Sequence, residues 1–144
     1  MRAAIYQQPG LVEVQDVPDA SLSAPTDAVV RVVRACICGS DLWSYRGVIT
    51  RAPGSRLGHE FIGIVEELGA EVRSLRVGDL VVVPFQWSDN SCAACRDGIH
   101  TSCEHGGTFG AAGTDGGQGE AVRVPQADGT CVVVPDGDVG MLTP

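Results

Sequence analysis

Along the chain, short apolar runs alternate with clusters of turn residues, and no long stretch carries a helical period. Alternating positions from Met1 to Tyr6 and from Leu11 to Val17 predict two strands joined by a Gln7-Gln8-Pro9-Gly10 turn. Pro18 to Pro25 reads as a connector. Ala28 to Ala35, with two arginines set among β-branched valines, predicts a third strand. It runs into Cys36-Ile37-Cys38-Gly39, where the glycine permits a sharp turn and Ser40 is placed to cap a short helix reaching Tyr45. Gly47 to Arg56 is a polar loop broken by Pro53-Gly54. Glu60 to Leu68 predicts a strand ended at Gly69, and Leu80 to Val83 another, introduced by Gly78-Asp79. Pro84 to His105 has no periodicity and predicts an excursion held by something other than a core. A glycine-rich run from Gly106 to Gly119 follows, and Val122 to Val124 and Thr130 to Val134 supply the last strands.

Many short strands with turn signals between them predict a mainly β fold, a barrel or a sandwich. No internal repeat is present. No Gly-x-Gly-x-x-Gly follows a strand and opens a helix; the Gly106 to Gly119 run has the wrong spacing. A nucleotide-binding Rossmann unit is therefore expected to be absent from this chain.

At 144 residues the chain is long enough for one domain with a proper core, and residues 1–144 are read as that domain. The formal net charge of -8 disfavours nucleic acid and anionic membranes as partners. All ten cations are arginine, which removes Schiff-base chemistry and a P-loop lysine. No apolar run is long enough to span a bilayer, and Pro9-Gly10 interrupts the N-terminus before a signal sequence could form, so a cytoplasmic location is expected. In a reducing compartment six cysteines favour metal binding or free thiols over disulfides.

Cys92, Cys95 and Cys103 fall within twelve residues, a local cluster that closes at small entropic cost and so suits a structural zinc site in a lobe of about residues 86–106. Asp89, His100 and His105 are the neighbouring candidates for a fourth ligand; Asp89 continues the x2 spacing backwards from Cys92. The alternative is three free thiols, or one disulfide, in a loop. Cys38 and His59 are 21 residues apart at the borders of different strands. Such a dispersed pair can hold zinc with an open coordination position, and zinc there acts as a Lewis acid on a hydroxyl. Ser40 could take the hydroxyl proton and Asp41 could accept the second N–H of His59. A hydrogen-bonded core histidine, a helix cap and a turn are the plain alternatives for these three residues. Cys36 and Cys131 belong to neither group and are expected in the core.

Cys38-Gly39-Ser40-Asp41, the Gly58-His59-Glu60 stretch with Gly63, Gly69 and Val72 behind it, Val77-Gly78-Asp79-x-Val81, and Gly116-Gly117-Gln118-Gly119-Glu120-Ala121 ending at Val124-Pro125 together resemble the zinc-dependent medium-chain alcohol dehydrogenases. The likeness covers nearly the whole chain and corresponds to that family's N-terminal catalytic domain, a GroES-like β-barrel. It implies reversible NAD- or NADP-linked oxidation of an alcohol to an aldehyde or ketone in a complete enzyme, with zinc at a catalytic and a structural site. By the match, Cys38 and His59 are catalytic zinc ligands, Glu60 an adjacent or alternate ligand, and Ser40 the hydroxyl relay; Ser40, Glu60 and Asp41 are the catalytic group. Asp89, Cys92, Cys95 and Cys103 are the structural zinc ligands.

Three positions depart from the pattern. Asp89 stands where the family's zinc lobe opens with a cysteine. Trp43 occupies the place of a proton-relaying histidine found in some members. The family's third catalytic ligand and its nucleotide domain lie beyond Pro144, so the isolated chain is expected to be inactive. A small alcohol or carbonyl is the expected partner, and the resemblance admits a homo-oligomer. Two other readings are a non-catalytic zinc-binding module and a co-chaperonin-like assembly subunit, the latter needing no metal ligands.

Overall fold

The computed structural model describes residues 1–111 and 113–135. Within them the chain is built from short strands and three helices of one turn each. Strands β1 (Arg2–Gln8) and β2 (Leu11–Asp16) form an antiparallel hairpin, with Arg2 opposite Asp16 and Gln8 opposite Leu11. The hairpin reverses at Pro9-Gly10, where Gly10 takes a φ of 78°. On its other edge β1 pairs with β4 (Ser55–Arg56), a two-residue strand inside the loop expected over Gly47 to Arg56.

The larger sheet has five strands, centred on β3 (Ala28–Ala35) and β5 (Phe61–Leu68). The order places β6 (Leu80–Val83) and then β10 (Val132–Val133) beyond β5, and β9 (Ala121–Val124) beyond β3; every pairing is antiparallel. Gly63 lies opposite Val32 at an irregularity in the β3–β5 register. A Cβ there would stand 2.3 Å from the carbonyl oxygen of Arg31, so the ladder closes only around glycine.

Inward-facing residues of this sheet make the core: Ala28, Val30, Phe61, Val65, Val81, Val83, Val122 and Val124 are buried together with Phe109. The rings of Phe61 and Trp87 both meet Phe109 edge-on, with centroids 5.3 Å apart in each case. Trp87 belongs to the ribbon of β7 (Gln86–Trp87) and β8 (Gly107–Thr108), which fastens the base of the cysteine excursion to the core. One isolated bridge, Ala3 to Gly119, joins the smaller sheet to the larger. The fold is mainly β, as expected, but the ladders among the described residues do not close into a complete barrel.

Several local expectations differ from the structure. Thr130 is not a strand residue: Ala127–Thr130 forms helix α3, and the strand begins at Val132. The Thr130 hydroxyl bonds the carbonyl of Pro125 (3.0 Å), holding that turn closed. Helix α1 spans Asp41–Tyr45, but Ser40 makes no capping bond because its own backbone is already helical (φ -68°, ψ -27°). Cys36 is half-buried rather than a core residue, its peptide N–H bonded to the carbonyl of Glu60 (3.1 Å). Cys131 is also half-buried, packed against the edge of the core, and desolvation there pushes its thiol up to about 12.

Candidate metal centres

Two groups of side chains with metal-binding chemistry come together. In the first, one donor atom from each of Asp89, Cys92, Cys95 and Cys103 lies within 4.8 Å of all the others. Helix α2 (Ala93–Arg96) supplies Cys95 from its last turn and begins at Cys92, while a single 3-10 turn at His100–Ser102 returns the chain to Cys103. The Asp89 carboxylate organises the entry: its Oδ1 accepts the N–H groups of Ser91 (2.8 Å) and Cys92 (3.0 Å). The Asp89 N–H in turn points at the Cys103 sulfur, 3.3 Å away. All six cysteines are free thiols.

The separations suit a tetrahedral ion. Zn–S bonds of about 2.3 Å place two sulfurs about 3.8 Å apart along a tetrahedral edge. Cys92 Sγ and Cys103 Sγ are 3.9 Å apart. The electrostatics point the same way. The N–H groups of Glu104 and Cys95 draw the Cys92 thiol down, while burial and the neighbouring thiols and carboxylate push Cys95 up to about 12. Asp89 is held well below the usual carboxylate range by the N–H groups of Ser91 and Cys92 and by His105. Ionising these thiols together beside the carboxylate is opposed by their mutual repulsion, and a divalent cation among them reverses that repulsion. The donor set fits zinc.

The second group joins Cys38, His59 and Glu60, whose donor atoms lie within 4.8 Å of one another. The fold brings them together by pairing the ends of β3 and β5: Ala35 is opposite Phe61, so the residues just beyond one strand face those just before the other. His59 is then held from behind. Gly58 has a φ of 97°, and a Cβ on it would lie 2.4 Å from the Gln118 nitrogen. That closeness lets Gly117 and Gln118 donate their N–H groups to the carbonyls of Gly58 and Leu57, both at 2.9 Å. Gln118 also reaches across to the Cys36 carbonyl through Nε2 (3.2 Å). The end of the glycine-rich run is thus a strap under the histidine.

Both ring nitrogens of His59 have neighbours. Asp41 Oδ1 lies 3.5 Å from Nδ1, and the Ser40 hydroxyl lies 3.1 Å from Nε2. The other Asp41 oxygen accepts the Cys38 N–H (3.0 Å), so one carboxylate ties together the loop of one donor and the ring of another. Asp41 Oδ1 is buried with no hydrogen-bond partner and faces His59 Nδ1 at 3.5 Å; a proton on Nδ1 answers that oxygen and puts the ring's lone pair on Nε2. A metal ion fits that arrangement: Asp41 sits against one ring nitrogen, and the imidazole shares a small space with the Cys38 thiol and the Glu60 carboxylate. Glu60 is exposed, and Trp43 is 54% exposed on the same short helix as Asp41.

Of the candidate fourth ligands for the lobe, Asp89 is in the cluster and His100 is not. His105 stands behind the carboxylate, its Nδ1 2.5 Å from Asp89 Oδ2. Sequence reasoning offered His105 only as a rival to Asp89; its place two residues after Cys103 was the available signal. Gln118 was read only as part of a motif, and its contact with Cys36 spans 82 residues, beyond the reach of any local pattern.

Comparison with known proteins gives a consistent result. The family described as the alcohol dehydrogenase GroES-like domain matches residues 24–136. The zinc-type alcohol dehydrogenase B of Aspergillus flavus is 39% identical over 137 residues, covering 95% of this chain and 32% of its own length. Among solved structures, the alcohol dehydrogenase TADH from Thermus sp. ATN1 superposes with a TM-score of 0.88 at 41% identity, covering 94% of this chain and 40% of its own. A zinc-binding dehydrogenase from Sinorhizobium meliloti, solved bound to NADP, superposes with a TM-score of 0.75 at 30% identity, covering 94% of this chain and 38% of its own. The chain therefore spans between about a third and two fifths of the length of these relatives.

Proposed function

The chain belongs to the alcohol dehydrogenase GroES-like domain family, and we propose that it is the substrate- and metal-binding part of a zinc-dependent oxidoreductase that interconverts an alcohol with an aldehyde or ketone. The observation that carries this reading is the meeting of Cys38, His59 and Glu60, with Asp41 on one nitrogen of His59 and Ser40 on the other. Residues 1–144 would form one catalytic domain, the last of them, 136–144, lying outside the described residues.

Cys38 and His59 would hold the catalytic zinc, with Glu60 beside it as an adjacent or alternate ligand. When bound, zinc there supplies Lewis acidity that makes an alcohol hydroxyl easier to deprotonate. Asp41 fixes the His59 ring through Nδ1 and leaves Nε2 as the donor. Ser40, next to Nε2, accepts the proton of the substrate hydroxyl and passes it outward; its exposure gives it water on the far side. Trp43, exposed on the same short helix, carries no proton acceptor, so water carries the proton onward. Asp89, Cys92, Cys95 and Cys103 would hold a structural zinc that stands in for a core in the lobe.

Hydride transfer needs a nicotinamide, and the NADP-bound relative motivates NAD or NADP as cosubstrate in the complete enzyme. No strand, glycine turn and helix of the required kind occurs among the described residues. Six free thiols favour a reducing, cytoplasmic setting, and among the described residues no helix is long and apolar enough to cross a membrane.

Zinc counting on purified variants tests the proposal. The chain should bind two equivalents, Cys38→Ala should lose one, and Cys103→Ala the other. If Cys38→Ala or His59→Ala retained both, the dispersed site would not be a zinc site and the catalytic reading would fall.

A further inference from the structure

Asp89 is the one carboxylate among three thiols, and its two oxygens are in different states. Oδ1 accepts two backbone N–H groups, from Ser91 and Cys92, at 2.8 and 3.0 Å. Oδ2 accepts one bond, from His105 Nδ1 at 2.5 Å. That makes Oδ2 the less engaged oxygen, with a lone pair to offer a metal.

His105 itself is anchored. Its carbonyl accepts the Trp87 indole N–H (3.2 Å), and Trp87 packs on the buried Phe109 ring. The next N–H, from Gly106, bonds the Cys103 carbonyl (3.1 Å), so the imidazole is fixed relative to a thiol as well as to the core. The histidine side chain is 64% exposed while the Asp89 side chain is only 6% exposed. An exposed ring reaching inward to a buried carboxylate has geometry suited to orienting a ligand.

We propose that His105 is a positioning residue for zinc capture in the lobe, aiming Oδ2 of Asp89 at the metal. The inference rests on the reading of Asp89, Cys92, Cys95 and Cys103 as a zinc site. Without the Nδ1–H donor, the carboxylate stays tethered to the backbone through Oδ1 but Oδ2 can swing about that anchor. The site then loses part of its preset arrangement, although all four ligands remain.

The experiment uses the full chain in a Cys38→Ala background, which silences the dispersed site. Zinc affinity is measured by competition with a chromophoric chelator, and cobalt substitution reports coordination through its d–d absorption. His105→Ala and His105→Phe should still bind one equivalent but about 10–100-fold more weakly. Their cobalt bands should move away from the tetrahedral pattern. His105→Asn, whose amide can donate from nearly the same place, should restore most of the affinity and the parent spectrum. Unchanged affinity in His105→Ala, or failure of His105→Asn to recover it, overturns the proposal. So does complete loss of zinc in His105→Ala with retention in Asp89→Ala, which would make the histidine the ligand. Absence of zinc binding by the parent would instead remove the lobe reading itself, a result separable from all of these.

Discussion

Asp41 and Asp27 are both buried carboxylates, and their surroundings give them different roles. Asp41 leaves one oxygen unpartnered opposite His59, whereas Asp27 spends a single oxygen on the N–H groups of Ser23 and Ala24 and on the Arg123 guanidinium at 2.8 Å. Asp41→Ala should weaken zinc at the dispersed site by about 10–100-fold and leave the lobe unaffected, as read by chelator competition. Asp27→Ala should instead cost about 2 kcal/mol of stability in urea denaturation with both zinc affinities kept, because it leaves the Ser23 and Ala24 N–H groups without their acceptor, while the partly exposed Arg123 turns to water. At this scale much was legible: the spacing of Cys92, Cys95 and Cys103, with Asp89 in step, and the placement of Cys38 and His59 single these residues out, while Glu60 enters through the family resemblance. The Asp27–Arg123 pair was not, since its partners are 96 residues apart and each resembles an ordinary surface charge. Ser40 was legible as a polar turn residue, but its hydroxyl turns to His59 instead of capping the helix, a choice made by tertiary packing.

Strands β3, β5 and β6 were readable almost to the residue because each is a run rich in β-branched and apolar residues, with Gly69 closing β5 and Gly78-Asp79 introducing β6. The two-residue strands β4, β7 and β8 were not. Each exists only through pairing with a distant partner, and two residues carry no period. The Gly116 to Gly119 strap was visible as composition but not as structure, since its role comes from how closely it passes other chain segments. A Cβ on Gly117 would fall 2.4 Å from the Phe61 ring. Gly117→Ala should therefore destabilise the fold by about 2 kcal/mol. It should also weaken zinc at Cys38 and His59 more than in the lobe, because the strap bears on His59 and not on Cys92.

Helix α3 provides a pH-dependent clasp. Burial raises the pKa of Asp128, but bonds from the Ser74 hydroxyl and from the N–H groups of Ser74 and Arg73 outweigh it and leave the carboxyl below its ordinary value. A carboxyl lowered by folding stabilises the folded state fully above its unfolded pKa, and that contribution is lost as pH falls through the folded value. Asp128→Asn should thus cost about 1 kcal/mol at neutral pH, the bonds being solvent-exposed, and the difference from the parent should shrink below the ordinary carboxylate range. Urea titrations at several pH values read this directly.

For the molecule as a whole, the two metal groups differ in how the fold makes them. The lobe collects its donors from fifteen consecutive positions, Asp89 to Cys103, outside the main core. The dispersed group needs β3, β5 and the glycine strap in register before its donors meet. Chelation should accordingly loosen the lobe first and leave the five-stranded sheet folded, as seen by hydrogen exchange across Pro84 to His105 against β3 and β5. The purified 144-residue chain should show no saturable binding of NAD or NADP by calorimetry, and no steady alcohol oxidation with zinc present, because positioning the nicotinamide is worth roughly 7–11 kcal/mol of the barrier. One chain would thus carry two zinc sites of these two kinds. Anomalous scattering above the zinc edge, from crystals of the zinc-loaded chain, locates them. Two peaks are expected: one among Asp89, Cys92, Cys95 and Cys103, and one within bonding distance, about 2.0–2.3 Å, of both Cys38 Sγ and His59 Nε2. A peak in the lobe alone, or one at His59 that makes no contact with Cys38, would contradict that expectation.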